Sequence, residues 1–158
     1  MKRFAIALAL ALAVQAIRAG DNDEAYAFDR FYAGVAGMAV LPQGGGRMGD
    51  RAGAAFRTGC YIGELFAVEG EAACLGHCAG LAARGLWHWW GYERLDPFFT
   101  CGAKGWMNDG QVGPCGGLGA FYHLTESLSL RADADATLGL DTRREMVYSL
   151  CAGLQISF

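Results

Sequence analysis

The chain is 158 residues long, with 13 basic and 16 acidic residues and a formal net charge of −3, room for one domain and not two. No apolar run reaches the roughly 20 residues that cross a bilayer as a helix, and a net-acidic chain without a basic stripe has no footprint for nucleic acid. Twenty-four glycines against three prolines suit curved, closely approaching strands better than helices.

Lys2 and Arg3 precede the apolar run Phe4–Ala16, the pattern of a secretory signal peptide. Residues 1–19 are read as that signal, with cleavage after Ala16 or Ala19. Residues 20–30 are read as a short periplasmic segment, and residues 31–158 as one β-domain. Processing removes Lys2, Arg3 and Arg18, leaving 10 basic against 16 acidic residues, a net charge of −6.

Period-two segments then follow one another between turn signals. They are Phe31–Leu41, Ala54–Ile62, Phe66–Leu75, Leu81–Tyr92, Phe98–Met107, Val112–Leu124, Leu128–Leu140 and Met146–Phe158. Each is close to the roughly 9–11 residues of a tilted transmembrane strand. In the seventh, Leu128, Leu130, Ala132, Ala134, Ala136, Leu138 and Leu140 share one face, against Ser129, Arg131, Asp133, Asp135 and Thr137. In the eighth, Phe158, Ile156, Leu154, Leu150 and Tyr148 oppose Ser157, Gln155, Cys151 and Ser149. A greasy outside over a small, polar inside is what a lipid-facing barrel wall needs.

The connections alternate. Gly63-Glu64-Leu65, Leu95-Asp96-Pro97 and Thr125-Glu126-Ser127 read as tight turns, and 42–53, 76–80, 108–111 and 141–145 as a looser set. Transmembrane barrels keep short turns on the periplasmic side, so the tight turns and Phe158 are assigned there. The aromatics Phe31, Tyr32, Tyr61, Phe66, Trp89, Trp90, Tyr92, Phe98, Phe99 and Tyr122 gather at that same rim, as an interfacial girdle would.

Face parity places charges inside. Arg57 falls opposite Glu71, and Glu69, Arg131, Asp133 and Asp135 share the inner face with Arg84 and Lys104. Four bases and four acids make a neutral set at mid-height. The interior of an eight-stranded barrel is just wide enough to be filled by side chains, and buried charges must be paired. The set is therefore read as a salt-bridged plug, with a narrow ion path as its rival.

Six cysteines in an exported chain raise the question of disulfides. Parity puts Cys60, Cys74 and Cys101 on the lipid face and Cys115 and Cys151 inside, which leaves Cys74–Cys78 as the local candidate bridge. The same segment, Cys74-Leu75-Gly76-His77-Cys78, resembles half a metal site, but structural zinc usually takes four ligands and no second pair stands nearby. No metal, cofactor or catalytic residue is assigned. His88 among tryptophans reads as a packed imidazole. His123, with Ser127 and Ser129, is the only serine–histidine grouping to weigh for catalysis.

The alternation, the Phe31-Tyr32-Ala33-Gly34 start and the terminal Phe158 together resemble the eight-stranded bacterial outer-membrane β-barrel domain family, the OmpA/OmpX-like small barrels. The resemblance covers 31–158 and rests on generic motifs. It implies an all-β, eight-stranded antiparallel up-and-down transmembrane barrel in the bacterial outer membrane, with Phe158 as part of the signal read by the barrel-assembly machinery. It implies a structural or surface-interaction role without enzymatic activity, and outer-membrane lipid as the surroundings. Arg47, Arg51, Arg143 and Arg144 in the outer loops read either as contacts for lipopolysaccharide phosphates or as exposed solubilising charge. Some small outer-membrane barrels are lipid A deacylases, but their triad lies outside near the outer rim, and His123 is read as inside at the other end. A secreted soluble barrel with an apolar ligand needs the opposite polarity of faces. Oligomeric state is not legible.

Overall fold

The computed structural model describes residues 31–42, 52–63, 65–76, 78–89, 94–107, 110–140 and 146–158. The expected signal peptide and segment 20–30, and the arginines of both outer loops, lie outside the described residues. Eight strands close into one barrel in sequence order, β1 pairing with β8. They are β1 Phe31–Pro42, β2 Ala52–Gly63, β3 Phe66–Leu75, β4 Cys78–His88, β5 Leu95–Trp106, β6 Gln111–His123, β7 Leu128–Leu138 and β8 Met146–Ser157. Every neighbouring pair is antiparallel. Closure runs to the chain end, where Phe31 and Phe158 exchange two backbone hydrogen bonds of 3.1 and 2.9 Å.

The alternation expected of a lipid-facing wall is present on every strand. Val35, Leu118, Leu130 and Leu154 project outward and are exposed, whereas Arg57, Lys104, Arg131 and Asp135 point inward and are buried. A large apolar surface turned to the outside and a charged interior is the reverse of a soluble protein, and it is stable only if the outside meets hydrocarbon.

Three connections differ from expectation. Leu95-Asp96-Pro97 is not a turn but the start of β5, paired with Tyr122, Phe121 and Ala120. The connection is 89–94 instead. Proline is admitted because Pro97 stands where the β4–β5 ladder ends. Its carbonyl accepts from Trp89 N at 3.0 Å, and the donor it lacks would face only the end of β4. Beyond Leu75 the expected five-residue loop is a two-residue turn, since Leu75 pairs with Cys78. Gly76, at φ 54°, supplies the left-handed residue such a turn requires. At the first turn Gly63 pairs with Phe66, and a bulge at Ile62 restores the register that puts Arg57 opposite Glu71.

The lumen is stacked in three layers. At the end carrying Phe31 and Phe158, Tyr32, Ala67, Leu86, Phe98 and Phe121 form an apolar plug, with Tyr61 against it. At the other end Met38, Val40, Leu75, Trp106 and Val147 form a second. The charged residues lie between. The rim aromatics therefore divide into two sets, a correction to the girdle. Phe31, Phe66, Trp89, Phe99 and Tyr122 face outward, and Tyr32 and Phe98 are buried inside.

Candidate functional site

The central layer is built from alternate residues on neighbouring strands, so each side chain enters the bore at a height fixed by register. Arg57 on β2 donates through Nε to Glu71 Oε2 at 2.8 Å and grips Asp133 on β7 with both terminal nitrogens, at 2.7 and 2.9 Å. Arg84 on β4 reaches Glu69 at 2.8 Å, Glu71 at 2.5 Å and Asp135 at 3.1 Å. Lys104 on β5 lies 3.2 Å from Glu71 Oε1 and 3.5 Å from Asp135, and donates to Ser149 Oγ at 3.1 Å. The Lys104–Glu71 contact is an ion pair without hydrogen-bond alignment, because Glu71 Oε1 has no hydrogen-bond partner. Arg131 binds Glu69 in a two-pronged contact and lies 3.4 Å from Asp133.

All eight charged residues expected inside are thus brought into one connected network. Its two-pronged links cross the bore between strands that do not pair, β2 to β7 and β3 to β7, and Arg84 adds a single contact from β4 to β7. Two-pronged arginine–carboxylate contacts are the geometry in which a buried ion pair best offsets its desolvation. The cations also meet the layers above and below. Arg131 stands 4.9 Å over the Phe98 ring and 5.1 Å from Phe121, and Lys104 is 5.2 Å from Trp106. Cation–π contact of this kind helps hold a desolvated charge.

Neutral members of the layer were not foreseen. Tyr32 donates to Glu69 at 3.0 Å, Ser149 donates to Asp135 at 2.8 Å, and Gln155 accepts from Arg131 at 3.5 Å. Parity alone puts Gln155 and Ser149 on this face. Tyr32 was hidden by its place among rim aromatics.

A second polar chain crosses the mouth near Phe31 and Phe158. His88 Nδ1 donates to Asp96 Oδ2 at 2.7 Å, and the same oxygen lies 4.0 Å from His123 Nε2. His123 Nδ1 and Ser129 Oγ are hydrogen-bonded at 2.8 Å. The His88 ring is buried, stacked 5.8 Å from Phe121 and tilted against Tyr61 and Phe98. Serine, histidine and aspartate do come together, but Ser129 is only 3% exposed and Asp96 is committed to His88. No substrate carbonyl reaches a serine so enclosed, and the chain acts as a strap across β4, β5, β6 and β7. Asp96 was missed because Pro97 read as a turn; continuing the inward series from Lys104 through Thr100 and Phe98 would have found it.

The Cys74–Cys78 bridge is not formed. Cys74 pairs with Ala79 and Cys78 with Leu75, so the two stand one position out of register on opposite faces. Cys74 is a free, exposed thiol, and Cys78 packs toward the inner apolar plug. Cys101 is exposed outside, and Cys115 and Cys151 are buried inside. Among the described residues no group of His, Cys, Asp or Glu is arranged to hold a metal ion; His77 is outside them. Phe158 contributes the closing hydrogen bonds already given.

No family model and no curated protein matches the sequence. Solved structures do match in fold. A de novo designed transmembrane β-barrel superposes with a TM-score of 0.63 at 13% identity, covering 85% of this chain and 99% of its own. The N-terminal β-barrel domain of Pseudomonas aeruginosa OprF gives 0.59 at 14%, covering 80% and 97%. Neisserial surface protein A gives 0.56 at 14%, covering 82% and 97%. This is the transmembrane eight-stranded barrel fold. Such low identity carries the architecture and nothing of the task.

Proposed function

We propose that this protein is an integral barrel of the bacterial outer membrane with a structural or surface-interaction role, and that its lumen is a plug rather than a conduit. The observation that carries the reading is the connected neutral network of eight buried charges, sealed above and below by apolar layers. An ion entering past Trp106 meets apolar side chains first, and one entering from the Phe31 and Phe158 end meets the His88–Asp96–His123 strap and then the apolar layer, before either reaches carboxylates already held by arginine. Outer-membrane lipid is the solvent this reading requires for the apolar wall. The barrel-assembly machinery, reading Phe158, is the proposed route of insertion, and lipopolysaccharide is the proposed contact of the loop arginines.

Three measurements test it. Membrane fractionation should place the chain in the detergent-extracted outer-membrane fraction, with slower gel mobility after heating. In planar bilayers the wild type should show no steady single-channel steps. The double substitution of Arg57 and Arg131 by alanine should destabilise the barrel. Steady conductance from the wild type, or a rise in the double variant without loss of stability, would replace the plug by a gated path. Recovery in the soluble periplasmic fraction would end the membrane reading.

A further inference from the structure

The outer wall is not uniform. Across β1 to β5 one row of outward positions runs Ala33, Thr58, Gly70, Ala83 and Ala103, as the register of these strands dictates. The row on one side of it carries Phe56 and Leu81 and the row on the other Phe31 and Val68. Where β2, β3 and β4 meet, this leaves a depression of about 550 Å³ whose bottom is formed by Thr58, Gly70, Ala83 and Gly85 and whose sides include Phe31 and Val68. The Phe66 ring lies over Gly85, its edge 3.6 Å from where a Cβ would stand. The buried Glu69 and Arg84 border the groove, but their side chains point into the lumen. On β6 to β8 the corresponding wall is studded with exposed leucines, among them Leu118, Leu130, Leu150 and Leu154.

We propose that this groove is a binding site for one acyl chain of a phospholipid, drawn from the leaflet at the end of the barrel that carries Phe31 and Phe158. The inference rests on the membrane reading above. The occupant follows from the chemistry of the lining and from where it faces. A peptide lying there would bring backbone groups into hydrocarbon with no partner, since both edges of β3 are already paired and no strand can be added. A polar ligand would meet a lining that is mostly carbon, with the Thr58 hydroxyl and the Cys60 thiol as its polar side chains on the outer face. An alkyl chain needs no polar partner. In the hollow it touches protein along its sides as well as beneath, and dispersion contact grows with every additional neighbour. The volume falls within the roughly 300–1,000 Å³ of ordinary small-molecule sites. The aromatic rings of Phe31 and Phe66 stand at the lower border, the level at which a membrane's polar boundary favours them, so the chain enters the groove from that side.

The test uses the full chain refolded into vesicles of phosphatidylethanolamine and phosphatidylglycerol. These carry a minor fraction of phosphatidylcholine with a diazirine on one acyl chain. After irradiation, adducts are mapped by peptide mass spectrometry. The expected result is labelling of segments 58–60, 68–70 and 83–85 several-fold above that around Leu118, Leu130 and Leu150. Gly70→Leu should bring the groove down to the level of the rest, because a Cβ there meets nothing closer than Thr58 O at 4.0 Å and the side chain beyond it projects into the hollow. Ala83→Leu fills it from the neighbouring strand and should act alike, while Ala132→Leu on the far wall should change nothing. Even labelling around an inserted, heat-modifiable barrel would overturn the site and leave the membrane reading intact. Groove adducts that persist in both filled variants would overturn it too, as would protein–protein cross-links through the groove, which would assign it to a second copy. A chain that takes up no label and shows no heat-modifiable mobility would end the membrane reading and the site with it.

Discussion

Arg57 shows how a single residue ties the bore together. It holds Glu71 beside it and Asp133 across the lumen while only 2% exposed. Truncation to Met removes the cation and leaves two buried carboxylates short of a partner, a loss expected to cost about 3–5 kcal/mol. Replacing Asp133 with Leu at the same time removes one of the orphaned acids, so the double variant should recover part of that loss. Urea unfolding in lipid vesicles, followed by tryptophan fluorescence, gives the four corners of the cycle. Strictly additive losses would mean the pair is not coupled, against the two-pronged geometry. The eight charges themselves were legible in the sequence because parity depends only on counting by two. Their pairing was legible only where residues face each other on neighbouring strands, as Arg57 and Glu71 do. The contacts across the bore, such as Arg131 with Glu69, depend on barrel diameter and side-chain reach, which no local pattern encodes.

At the level of strands and turns, glycine and proline gave opposite lessons. Pro97 reads as a turn residue, yet it lies inside β5, tolerated at the end of a ladder. The structure needs no turn there because the inward series Asp96, Phe98, Thr100 continues through it. Gly76 reads as part of a loose loop, and it is the left-handed residue of a two-residue turn. Giving that turn one residue more would have put the charged Arg84 outside in lipid, so the buried layer, and not the local sequence, selects the tight form. Gly76→Val forces a β-branched side chain into a left-handed conformation at a cost of about 1–2 kcal/mol. The expected outcome is a lower unfolding midpoint with little change in the slope of the transition. An unchanged midpoint would show that the turn adopts another form. Pro97→Ala, which only returns a donor to the end of a ladder, should stay within about 0.5 kcal/mol of the parent.

The molecule as a whole is a cylinder with its polarity reversed, and the reversal links its stability to its closure. The backbone ladder joins each strand only to its two neighbours, so a barrel with an inert interior has no tie between opposite walls. Here β7 is bound through the lumen to β2, β3, β4 and β5, as well as to β6 and β8 beside it. Opening the β1–β8 seam would let water into a layer whose charges are held by one another. It would also part the two hydrogen bonds between Phe31 and Phe158. No hairpin should therefore leave the wall by itself. Unfolding in vesicles should be a single transition, with the same midpoint by gel mobility, by far-ultraviolet circular dichroism and by the fluorescence of tryptophans on β4 and β5. Because the ion pairs lie within the bore, screening reaches them far less than it reaches pairs in water. Raising sodium chloride from 0.1 to about 1 M, where the Debye length falls from about 10 to about 3 Å, should accordingly leave that midpoint nearly unmoved. Two separate transitions, or a midpoint that falls steeply with salt, would mean that water and ions already occupy the lumen, and the plug would have to be redrawn as a wet channel.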